Sequence, residues 1–156
     1  MGYTVTVNEK IQILGDLIRQ HRVHPEVRQR AIAILRGAGV APKDQLGEIN
    51  ALYGWVRDNI RFTYDPAYQD VFTSPVHTLR IGGGDCDCQV ALLGSLLESV
   101  GHPVSIKAVG FNPDRFSHVY LVAQEGRLPL DPTLGTQIPA GFELPYYMAK
   151  VYAVPP

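Results

Sequence analysis

The chain is short of cysteine, of net charge and of long apolar runs, and each shortage removes a class of protein. Its 156 residues hold two cysteines, both in the tripeptide "CDC" at 86–88. That excludes a disulfide-stapled scaffold and suits a reducing compartment. Fourteen Lys and Arg against fifteen Asp and Glu leave a net charge of −1, without a basic cluster. Nucleic acid is therefore not expected as a partner, because it requires a basic footprint. No apolar run approaches the roughly 20 residues of a membrane span, and "MGYTVTVNEK" lacks the apolar core of a signal peptide. A cytoplasmic protein with no membrane partner is expected. Gly2 and Thr6 satisfy the loose N-myristoylation pattern, which is short enough to be a chance match. The remaining composition, 46% hydrophobic and 19% charged, is that of one globular domain over 1–156.

Apolar spacing organises that domain. Ile11, Leu14, Leu17 and Ile18 share one helical face, as do Val27, Ala31, Ile34 and Leu35. Pro25 suits a first helical position, and Gly37 and Gly39 suit a stop. A third helix is expected through "KDQLGEINALYGWVRDNIRF", with Leu46, Ile49, Tyr53, Val56 and Ile60 inward, so that 1–62 form a helical part ended by Asp65-Pro66. "AYQDVFTSPVHTLRI" reads as a surface loop with at most one short strand. After three glycines, "CQVALLGSLLESVG" is the most apolar helix, stopping at Gly101. "VSIKAVGF", "SHVYLVAQ", "RLPLDPT" and "YYMAKVYAV" then read as strands. Helices first and an antiparallel sheet after, with the central helix packed on it, make an α+β domain.

Two cysteines one residue apart can be a metal clip, a strained disulfide, or one nucleophile and a bystander. Asp85 is placed to N-cap the central helix, which puts Cys86 in its first turn, where the helix dipole favours thiolate. Asp85 and Asp87 oppose this by like charge, so a base is needed. The glycines are expected to keep the approach to Cys86 open. Among the histidines, His21 and His24 sit at a helix junction, solvated or capping; His102 is expected to meet terminal helix carbonyls; His77 lies in the loop before the glycines. His118 opens a strand and is the best candidate. If Glu125-Gly126 makes a tight turn, residue 120 faces residue 131, leaving His118 diagonal to Asp131 on one sheet face. Cys86, His118 and Asp131 then make a nucleophile, a base and an orienter, with Pro132 and Thr133 helping to fix the Asp131 backbone. Cys88 points about 200° around the helix from Cys86, which disfavours a disulfide and suits a half-buried packing thiol. A single Cys-x-Cys is weak evidence for metal, although Cys86, Cys88, His118 and an aspartate could form a site.

The stretch "GGGDCDCQVALLGSLLESVGHPVSIKAVGF…FSHVYLVAQEGRLPLDPT" resembles the transglutaminase-like fold of the papain-like cysteine enzymes, with residues 82–135 as catalytic core. The upstream "WVRDNIRFTYDP" and "SPVHTLRIGGGDC" resemble short transglutaminase-like proteins of bacteriophages and prophages. The resemblance implies Cys86 as nucleophile, His118 as general base and Asp131 as orienter, with no metal and no cofactor. It departs from the family at Cys88, which stands where a second aspartate is usual, and after His118, where the strand lacks a glutamate. The implied activity is thiol-dependent attack on a protein or peptide-like amide, by hydrolysis or acyl transfer through a thioester. Two other classes remain: a virion or tail-assembly component that keeps the fold, located in the host cytoplasm or the particle with phage structural proteins as partners, and a metal-binding module.

Overall fold

The computed structural model describes residues 5–64 and 72–156. Gly2 of the myristoylation pattern and Asp65-Pro66 lie outside the described residues. Three amphipathic helices come first: α1 (Val7–His21), α2 (Pro25–Gly37) and α3 (Gln45–Asn59). Each start is capped from its own sequence. Thr6 and Glu9 form a capping box on α1. The His24 ring accepts from Glu26 N–H at 3.1 Å before Pro25 opens α2, and Asp44 accepts from Gly47 N–H at 2.9 Å on α3. Their inward faces follow the apolar spacing, save that Leu46 is 49% exposed.

Two segments differ from the sequence expectation. The third helix stops at Asn59, and Arg61–Phe62 form a short strand, β1, parallel to β2 (Gly83–Gly84). Backbone groups of the glycine run supply the partners: Arg61 N–H reaches Gly82 O at 2.9 Å and Thr63 N–H reaches Gly84 O at 3.1 Å. Between them the expected loop contains a helix, α4 (Pro75–Ile81). Ser74 caps its start, Pro75 occupies the first position, and Gly82 ends it in the left-handed region at φ +70°. At seven residues it is too short to show periodicity, and its burial rests on Pro75, Val76, Thr78 and Leu79.

The central helix α5 (Cys86–Ser99) is buried on nearly every side, as its apolar composition demands. It is covered by α1, α2, α3 and α4 and by one face of an antiparallel sheet. The sheet comprises β3 (Val104–Gly110), β4 (His118–Ala123), β5 (Leu128–Leu130) and β6 (Met148–Ala153), in the order β5-β4-β3-β6. The fold is therefore α+β. Ile106, Ala108, Val119 and Leu121 join the α5 core. By alternation Lys107, His118 and Tyr120 occupy the other face. There Lys107 Nζ meets Glu143 Oε2 and Tyr146 OH, both at 3.0 Å, tying the chain before β6 across the sheet.

The glycines before α5 do not hold an approach open. Gly83 and Gly84 are buried, and a Cβ on Gly84 would sit 2.5 Å from Cys88 Cβ. Their small size lets β2 lie directly against the first turn of α5. Gly84→Ala is accordingly expected to cost about 1–3 kcal/mol through overpacking, read as a lower urea midpoint. An unchanged midpoint would show that the turn relaxes freely.

Candidate active site

Asp85 fixes the start of α5. Its Oδ1 accepts from Cys88 N–H at 3.0 Å and its carbonyl from Gln89 N–H at 3.0 Å. Cys86 thus becomes the first helical residue, half-buried, with its side chain directed at β4. The backbone N–H of Val119 points at the sulfur. Val119 lies beyond the last β5 pairing, Leu121 with Leu130, so the sulfur sits where β5 leaves the edge of β4 uncovered. Asp87 is not a cap. Its carboxylate is buried, accepts the thiol at 3.8 Å through Oδ1, and pairs with Lys10 Nζ at 3.3 Å through Oδ2.

The hairpin after Val119 brings the other two residues together. Leu121 opposite Leu130 and Ala123 opposite Leu128 extrapolate to residue 120 opposite residue 131, the register expected from Glu125-Gly126. His118 Nε2 meets Asp131 Oδ2 at 2.6 Å. Asp131 Oδ1 accepts from Thr133 N–H at 3.2 Å and from Thr133 Oγ1 at 2.7 Å. Thr133 therefore holds the carboxylate itself, as an Asx turn would, beyond the backbone role the sequence suggested. Tyr53 OH lies 2.9 Å from Ile138 O and 3.2 Å from Asp131 O, tying the strand end and the chain after it to α3; burial raises its phenol to about 12, so it remains a donor. The His118 ring stacks at 6.3 Å on Phe111 and lies 5.7 Å from the Tyr120 ring.

Cys86 and His118 line one cavity of about 110 Å³, walled also by Val7, Lys10, Ala108 and Phe116. Among the described residues no hydrogen bond joins sulfur to ring. Such contacts are often loose in unliganded sites and close when substrate binds. Burial is the main cause that holds the Cys86 thiol above its usual range, followed by Asp87 and then Asp85, against the Val119 N–H and Lys10. A helix dipole contributes about 0.3–1 kcal/mol in ordinary settings, too little to reverse burial beside two carboxylates. The surroundings of the sulfur therefore favour the thiol over the thiolate.

The remaining candidates fall elsewhere. Cys88 is 5% exposed, more deeply buried than expected, with its sulfur 3.0 Å from Thr73 Oγ1. Both cysteines are free thiols. Among the described residues no group of three or more His, Cys, Asp or Glu is placed to hold a metal ion. His77 is exposed on α4. His102 does not spend its ring on helix carbonyls: Nε2 meets Glu48 Oε1 of α3 at 2.6 Å, and only its backbone N–H bonds Leu97 O. Lys10 carried no signal in the sequence, because one lysine on a polar helix face is unremarkable.

The sequence model of the transglutaminase-like superfamily matches residues 31–126, more than half of the chain. Cys86 and His118 fall inside the match, Lys10 and Asp131 outside it. No curated protein matches by sequence. Among solved structures, a candidate protease from Parabacteroides distasonis is 16% identical with a TM-score of 0.55, covering 73% of this chain and 24% of that one. A candidate cysteine protease from Cytophaga hutchinsonii is 13% identical with a TM-score of 0.50, covering 81% and 50%. Calcium-bound LapG from Legionella pneumophila is 23% identical with a TM-score of 0.46, covering 88% and 70%. The chain thus spans a quarter to a half of the first two, and at these identities the first two likenesses concern the fold alone.

The contact at 2.6 Å sets a tautomer. With Asp131 accepting, His118 carries its proton on Nε2 and presents Nδ1 as acceptor. Two-bond ¹H–¹⁵N spectra at neutral pH are expected to show the Nε2–H form in the wild type and a mixture in Asp131→Ala. An Nδ1–H form in both would contradict the arrangement.

Proposed function

The chain belongs to the transglutaminase-like superfamily, and on that premise we propose that it is a thiol-dependent enzyme acting on amide bonds of proteins or peptides, with Cys86 as nucleophile, His118 as base and Asp131 as orienter. The observation that carries the proposal is the 2.6 Å contact from His118 to a buried Asp131, with the Cys86 thiol on the same cavity wall. In this reading Nδ1 of His118 takes the thiol proton as sulfur attacks the carbonyl carbon. The imidazolium then returns a proton to the leaving amine, and a thioester remains on Cys86. Water resolving the thioester makes the protein a peptidase or amidase; a lysine amine makes it a transglutaminase. Asp85 acts by setting the helix start and Asp87 by facing the sulfur; no metal or cofactor takes part.

A second reading draws on a different observation. A thiol raised by burial and two aspartates also suits a domain that keeps the fold as an assembly component with an idle triad, with phage structural proteins as partners in a host cytoplasm or virion. Turnover separates the two. Casein offered with a fluorescent primary amine is expected to yield new amino groups, ammonia or labelled casein. Cys86→Ala and His118→Ala should each lower the rate by about 10²–10⁴, and Cys88→Ala should retain most of it. A Cys86→Ala protein as active as wild type would sink the enzyme reading.

A further inference from the structure

Lys10 is the cation of the Cys86 cavity, and it comes from α1, outside the region that matches the superfamily. Its ammonium lies 3.3 Å from Asp87 Oδ2, while Oδ1 of the same carboxylate accepts the Cys86 thiol at 3.8 Å. One buried carboxylate therefore serves two groups with opposite consequences. Bonded to the thiol, it holds the proton on sulfur and repels the thiolate that would form. Bonded to the ammonium, its charge is offset next to the sulfur. The titratable groups that share the Cys86 cavity are Asp87 on its own helix, Lys10 on α1 and His118 on β4; Asp85 also acts on the sulfur, and Asp131 holds the histidine.

We propose that Lys10 is a positioning residue that holds Asp87 and offsets its charge, so that the Cys86 thiol can pass its proton to His118. The inference rests on the thiol-enzyme reading above. In the step it governs, the S–H bond of Cys86 breaks and an N–H bond forms at His118 Nδ1, giving a thiolate and an imidazolium with no net change in charge. Asp87 keeps its ion pair with Lys10 throughout. The direction agrees with the electrostatics: Asp87 and Asp85 favour the protonated thiol and Lys10 opposes them. It also gives α1 a role in the chemistry beyond covering α5.

The test is the pH dependence of Cys86 alkylation by iodoacetamide, followed site by site by mass spectrometry, which requires no substrate. Lys10→Met is expected to move the midpoint to higher pH, lowering the rate at pH 7 roughly tenfold for each unit moved, while the limiting rate at high pH is unchanged. Lys10→Arg should restore the wild-type profile. Adding Asp87→Asn to Lys10→Met should return the midpoint to wild type or below it, since the charge that Lys10 offsets is then gone. Circular dichroism confirms that each variant is folded. A Lys10→Met profile that overlays wild type, or a loss equal at every pH, overturns the inference while leaving the enzyme reading in place. A double variant as slow as Lys10→Met overturns it too. A wild type whose Cys86 shows no pH-dependent labelling overturns both.

Discussion

A helix apolar on every side must be wrapped, and α5 imposes that constraint on the whole chain. Val90, Ala91, Leu92 and Leu93 are all buried, and four consecutive residues turning about 100° each point around its circumference, so a single sheet face could not cover them. Four helices close the sides that the sheet leaves open. The wrapping also determines where the ends of α5 emerge. Its N-terminus is pressed against the uncovered edge of β4, and Cys86 is there because Asp85 caps the helix at that point. The position of the thiol follows from a packing requirement and a cap, before any question of reactivity.

Electrostatics then decide what the thiol can do. Three carboxylates lie buried around it, and each has a separate occupation. Asp85 is used by the helix backbone, Asp131 by His118 and Thr133, and Asp87 by Lys10 and the thiol itself. An uncompensated buried carboxylate would be costly, and all three have donors. The consequence for Cys86 is an environment that opposes spontaneous ionisation. In the proposed reading, reactivity at such a sulfur depends on proton transfer to His118, whose ring is held by Asp131 on one side and flanked by Phe111 and Tyr120.

Much of this was legible in the residues. The strand alternation and the turn at Glu125-Gly126 were enough to place His118 diagonal to Asp131, because hairpin register follows from turn length. The first three helices and α5 were legible from apolar spacing. What escaped had no local signature. The seven residues of α4 are fewer than two full turns, so their periodicity could not emerge. The third helix ended early because Ile60 turns extended to let Arg61 pair with a glycine strand that lies twenty-two positions later in the chain. The role of the glycines is hidden for a related reason: a close approach to Cys88 leaves no mark in sequence, only the absence of a side chain. Lys10 was silent for the same cause, since its partner Asp87 is brought to it by the fold.

Of the two neighbouring thiols, the helix start places Cys86 half-exposed in the cavity it shares with His118 and leaves Cys88 buried. Brief exposure of the native protein to iodoacetamide at neutral pH, followed by peptide mapping, tests that difference directly. The account predicts alkylation of Cys86 well ahead of Cys88, whose sulfur is buried against Thr73. Modification of Cys88 first, or of both thiols together only on unfolding, would contradict it.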